Sequence, residues 1–94
     1  MEYTGILKER TLIDLQQGQT MVIVLTNATA CILQFLNAGD ATWHTHPGFT
    51  GTPNGAGVII QELRCISGRM RLNFTVQPVT PYNLSLTWAA APTF

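Results

Sequence analysis

From Arg69 onward the chain alternates without a break. Met70, Leu72, Phe74 and Val76 take every second position, with Arg69, Arg71, Asn73 and Thr75 between them. After Gln77-Pro78-Val79-Thr80-Pro81 the pattern resumes, with Tyr82, Leu84, Leu86 and Trp88 against Asn83, Ser85 and Thr87. Successive side chains of a β-strand point to opposite faces, so a period of two marks a strand with one buried face. A helix would scatter the same residues around its whole circumference.

The rest of the chain follows suit. Thr11 to Leu15 and Thr20 to Leu25 flank the turn Gln16-Gln17-Gly18-Gln19, and Thr26-Asn27-Ala28-Thr29 leads into Cys31 to Leu36. Val58 to Ile66 reads as a further strand, joined to the next through the short turn Ser67-Gly68, which predicts a hairpin. Met21-Val22-Ile23-Val24-Leu25 is apolar at every position, the mark of a central strand or of one covered on its second side. No window has the spacing of an amphipathic helix. The expectation is all-β, one domain over residues 1–94: a small antiparallel β-sandwich or barrel of about seven strands.

One stretch breaks the pattern. Residues 37–57, NAGDATWHTHPGFTGTPNGAG, have no regular period, which predicts one long loop. Loops of that length inside a compact domain are usually functional or disordered. Disordered segments are poor in aromatics, whereas this one holds Trp43 and Phe49 and both histidines of the chain, His44 and His46. It is the place to expect contacts with a partner or ligand, through Asp40, Trp43, His44, His46, Phe49 and Asn54.

Charge narrows the choice of partner. Five basic and five acidic residues in 94 leave a net charge of zero. A phosphate backbone is bound by a basic stripe, so nucleic acid is not an expected partner. A free domain usually carries charge on about a quarter of its residues, and near-neutral surfaces promote association. A homo-oligomer such as a trimer, or a subunit of a larger lattice, is the expectation, and ends that stay ordered would agree with it. No run approaches the ~20 apolar residues of a membrane span, and MEYTGILKER does not read as a signal peptide. Cys31 and Cys65 sit in apolar strands and are expected to be reduced and buried, though a bridge between facing strands is open.

His44-x-His46 is the sharpest motif. On an extended segment the two rings share a face and can hold a metal. The stretch from Gly39 to His46 resembles the first cupin motif, a glycine followed by a His-x-His pair, and the resemblance implies a metal site. The glutamate that follows in cupins is missing, with Gly48, Phe49, Thr50 and Gly51 in its place, and there is no third histidine. No metal or other cofactor is therefore expected. Nor is catalysis: the chain has no nucleophile elbow and no phosphate-cradling loop, and apolar surroundings make a thiol inert.

A second chemistry for the loop is sugar binding, with Trp43 and Phe49 stacking on pyranose rings and Asn37, Asp40 and Asn54 bonding hydroxyls. The plainer role for both aromatics is to anchor the loop to its own domain or to a neighbour. The profile as a whole fits a non-enzymatic structural protein. A small virion component (bacteriophage capsid decoration, head fibre or tail), made in the host cytoplasm, comes first by analogy of class. A carbohydrate-binding module or lectin comes second, and a cupin-like metal protein third.

Overall fold

Eight strands form among the described residues. They are β1 (Glu2–Gly5), β2 (Glu9–Leu12), β3 (Thr20–Thr26), β4 (Cys31–Asn37), β5 (Thr42–Thr45), β6 (Ile59–Arg64), β7 (Met70–Phe74) and β8 (Tyr82–Trp88). The structure, a computed structural model, describes residues 2–88 and contains no helix among them. The expectation about ordered ends falls on Met1 and residues 89–94, outside the described residues. The alternating runs bury the residues that the period selects: Met70, Leu72 and Phe74 on β7, Tyr82, Leu84 and Leu86 on β8.

The strands make two four-stranded sheets, in the orders β1-β8-β3-β6 and β2-β7-β4-β5. All pairs are antiparallel. The sheets face each other as a sandwich and do not close into a barrel. One continuous core lies between them, with Met21, Ile23, Leu25, Leu84 and Leu86 from one sheet against Leu12, Leu33, Met70, Leu72 and Phe74 from the other. Among the described residues only β4 to β5 is a hairpin; every other connection between the eight strands crosses from one sheet to the other. Eight antiparallel strands so connected have the order of a jelly roll.

Four details depart from the sequence reading. Ser67-Gly68 does not close a hairpin, because β6 and β7 belong to different sheets. The connection instead arches over the end of the core, where the Gly68 carbonyl accepts the Leu15 amide at 3.0 Å. The β7 ladder ends at Phe74, so Val76 is 57% exposed rather than inward. β1 was not foreseen, since Tyr3 is its only apolar side chain; it exists because β8 offers it an edge, with Glu2 opposite Ser85. Finally, residues 37–57 are not a single loop. Thr42–Thr45 pair with Gln34–Asn37, and the irregular part begins only at His46.

On β3, Val22 and Val24 point outward and are half-buried between Thr87, Ser85, Glu62 and Ile60 of the flanking strands. Cys31 and Cys65 are free, buried thiols.

Candidate functional site

The β4–β5 hairpin turns on residues suited to tight turns. The Asn37 side-chain oxygen accepts the Gly39 amide at 2.8 Å, the Asn37 carbonyl accepts the Ala41 amide at 2.8 Å, and Ala41 takes a left-handed conformation. Asp40 and the first residues of β5 then form an exposed cluster. One Asp40 carboxylate oxygen accepts the Thr42 hydroxyl at 2.7 Å and the Thr42 amide at 3.0 Å; the other lies 2.9 Å from His44 Nε2. The Thr42 hydroxyl, then the His44 ring, then the Thr42 amide stabilise the carboxylate and lower its pKa to about 2. The His44 ring lies flat against Phe35, centroids 5.7 Å apart.

His46 shares the inward face with His44, as the two-residue spacing requires, but its surroundings differ. It is 5% exposed, its Nε2 donates to the Arg64 carbonyl at 2.8 Å, and its Nδ1 accepts the Gly48 amide at 2.9 Å. Those partners assign the hydrogen to Nε2 and leave one lone pair, on Nδ1, which Gly48 already uses. The pair flanks Phe35, with His44 stacked on the ring and His46 edge-on at 6.4 Å. A two-histidine metal site would need that occupied lone pair. Among the described residues no three His, Cys, Asp or Glu side chains come together to hold an ion.

Beyond His46 the chain is fastened to its own domain. Phe49 packs against the core. The Gly51 carbonyl accepts the Cys31 amide at 3.0 Å, and a Cβ at Gly51 would overlap the Cys31 carbonyl oxygen, so only glycine fits this approach. Gln61 clasps the loop twice: its side-chain oxygen accepts the Thr50 amide at 2.8 Å, and its side-chain nitrogen donates to the Gly48 carbonyl. Asn54 organises the return into β6. Its side-chain oxygen accepts the amides of Ala56 (2.9 Å) and Val58 (3.1 Å), and its own amide donates to the Val58 carbonyl at 3.1 Å.

Trp43 points the other way, onto the outer face of its sheet. The Arg71 guanidinium lies 4.5 Å from the centre of the indole, and Arg71 Nε donates to Gln34 Oε1 at 2.8 Å. The six residues singled out in the sequence therefore divide three ways. Asp40 and His44 share the hairpin tip, His46, Phe49 and Asn54 hold the loop down, and Trp43 stands alone on the far face. Arg71 and Gln34 escaped the sequence reading, although Arg71 sits on the polar side of a strand whose alternation was plain. What did not show was which strands are neighbours. As for nucleophiles, burial pushes the Cys31 thiol up to about 12 and raises that of Cys65. Neither offers a thiolate near neutral pH.

No family model, curated protein or solved structure matches this chain.

Proposed function

We propose that the chain is a non-enzymatic assembly module, a small structural component of a virion such as a bacteriophage capsid decoration, head-fibre or tail part. It works through contacts with copies of itself and with other structural proteins. On this reading it is made in the host cytoplasm and ends in the particle. The supporting observation is the apolar end of the sandwich. Of the six large apolar side chains that stand exposed among the described residues, four lie in two adjoining connections: Ile6 (50%) and Leu7 (56%) between β1 and β2, Val76 (57%) and Val79 (91%) between β7 and β8. The two connections are tied together. Gln77 donates to the Ile6 carbonyl at 2.7 Å, Tyr82 to the Leu7 carbonyl at 2.9 Å, and the Phe74 amide to the Lys8 carbonyl at 2.8 Å. A fixed apolar end, on a chain with so few charges, suits a contact surface better than open solvent.

The jelly-roll order agrees with a virion part but also with lectins and cupins, so it supports the class and not the choice within it. The experiment is light scattering on the purified protein, beside Leu7→Glu/Val79→Glu. Binding to isolated particles that the double variant loses while keeping its circular dichroism supports the reading. A monomer that binds no particle overturns it.

A second reading rests on Trp43. With Arg71 and Gln34 beside it on one outer face, it offers an aromatic ring next to fixed polar groups, the pairing a glycan site needs. A glycan-array signal abolished by Trp43→Ala would move the lectin to first place. The cupin-like reading has no observation in its favour, because the His46 ring nitrogens are both engaged.

A further inference from the structure

On β6 the free edge of a sheet is open over a short, well-defined window. The Cys65 amide donates to the Gln19 carbonyl at 2.8 Å, and Thr20 lies opposite Arg64. Antiparallel ladders alternate, so Ile59, Gln61 and Leu63 turn their backbone groups toward β3 while Ile60, Glu62 and Arg64 turn theirs away from the sheet. Both ends of this outward row are closed by the molecule itself. Asn54 takes the amide and carbonyl of Val58, and His46 takes the Arg64 carbonyl. Between them the N–H and C=O groups of Ile60 and Glu62 have no hydrogen bond among the described residues. With the Arg64 N–H, five strong backbone groups therefore face outward side by side, a template for one more strand.

We propose that this window is where a second copy of the chain pairs with the first, β6 against β6, about a two-fold axis through Gln61. The inference rests on the assembly reading and adds to its apolar end a second surface, the one between copies, with a defined symmetry. About that axis Ile60 of each copy lies opposite Glu62 of the other. Each pair exchanges two backbone hydrogen bonds, so the four open groups of Ile60 and Glu62 in each copy are satisfied by the same four groups of its mate, while the Arg64 N–H faces Val58 of the mate. The match is self-complementary, as a two-fold contact requires. Moving the axis to Ile60 sets Glu62 opposite Val58, which Asn54 already holds, and moving it to Glu62 sets two carboxylates opposite each other and Ile60 opposite the Arg64 carbonyl that His46 holds.

The side chains favour the same register. Ile60 is 69% exposed on the outer face, next to Val24 on β3. Its symmetry mate becomes its diagonal neighbour, so the row Val24–Ile60 continues across the axis into Ile60 and Val24 of the second copy. β5, on the same flank, also turns Trp43 and Thr45 outward, but there the indole already lies against Arg71 and no large apolar side chain stands exposed. The resulting dimer has one continuous eight-stranded sheet. A closed three-fold ring contains no such contact, so the axis makes the assembly unit a dimer or joins larger units in pairs.

The test is amide hydrogen exchange on the full chain across a concentration series, with mass measured by light scattering on the same samples. The expected result is the mass of two chains, with protection at Ile60 and Glu62 that rises with concentration. Glu62→Pro removes an outward N–H that β3 does not use, so the monomer keeps its ladder while the pairing is lost. Ile60→Lys, which leaves the backbone intact, is the second variant. Both are expected to run as single chains with unchanged circular dichroism. An oligomer in which Ile60 and Glu62 exchange freely overturns the edge pairing and leaves the assembly reading standing. A single chain at every concentration overturns the pairing as well, and with no particle binding it also removes the assembly reading. Protection that arises only on adding another virion protein assigns the window to a strand of that protein and overturns self-pairing.

Discussion

A sandwich has two flanks where its sheets part, and this one closes them by different means. On the β1–β2 flank the plug is a single side chain. Arg10 sits 5.1 Å from the Tyr3 ring centre and 5.6 Å from that of Tyr82, and its Nε donates to the Tyr82 hydroxyl at 3.0 Å. The hydroxyl passes its own hydrogen to Leu7. On the β5–β6 flank the plug is a stretch of chain, residues 46–58, with the His46 ring beneath it. A guanidinium on aromatic faces closes a gap with one flexible residue and tolerates neighbours of many kinds. A docked loop needs every contact to fit at once. The second solution is the more easily broken.

Substitutions that break the comparison should follow that ranking. Gly51→Ala drives a Cβ into the Cys31 carbonyl and is expected to cost about 3 kcal/mol, which for a chain of this size lowers Tm by more than ~10 °C; thermal unfolding measures it. His46→Ala leaves the Arg64 carbonyl and Gly48 amide without their partner, for a loss of about 2 kcal/mol in urea titrations. Its sharper signature is faster exchange of the Gly48 amide. On the other flank Arg10→Met keeps the stem that covers Tyr3 and loses the hydrogen bond to Tyr82, so about 1 kcal/mol is expected by the same titration. Should Arg10→Met cost more than His46→Ala, the ranking of the two flanks is reversed.

The smallest effect belongs to the hairpin tip beyond both flanks. Asp40 has a folded pKa of about 2, below its ordinary 3.8, so whatever its contacts contribute is fully present above pH 3.8 and fades only as pH falls through about 2. The Thr42 amide resonance is expected to titrate with a midpoint near 2. A midpoint at the ordinary value would mean that the cluster does not hold together in solution.

Much of the fold was legible and the arrangement of the site was not, for one physical reason. Alternation reports which side of a strand is buried, a property of the strand alone, and so Met70, Leu72, Phe74, Tyr82, Leu84 and Leu86 could be read directly. It says nothing about the neighbour. Ser67-Gly68 has the length of a hairpin turn, yet it joins different sheets, because Leu63 and Met70 are buried equally well from opposite sides of one core. The same blindness applied to residues 37–57. Trp43, His44 and His46 stand out in the sequence by residue type, but that the indole and the imidazoles lie on opposite faces follows only once Thr42–Thr45 is known to be a strand. Asn54 resembled a ligand contact, while its side-chain oxygen serves the turn it stands in.

The jelly-roll order also governs how this chain reaches its native state. β1 lies against β8, so the first described residues find their partner only among the last, with Glu2 opposite Ser85. β8 also separates β1 from β3. During synthesis one sheet therefore stays incomplete until β8 has been made, and its pairings are long-range contacts of the kind that form slowly. Only the β4–β5 hairpin is local enough to form early. A nascent or truncated chain ending before Tyr82 would leave β1 and the β8-facing edge of β3 unpaired, and exposed strand edges are what drives incomplete β-proteins to aggregate.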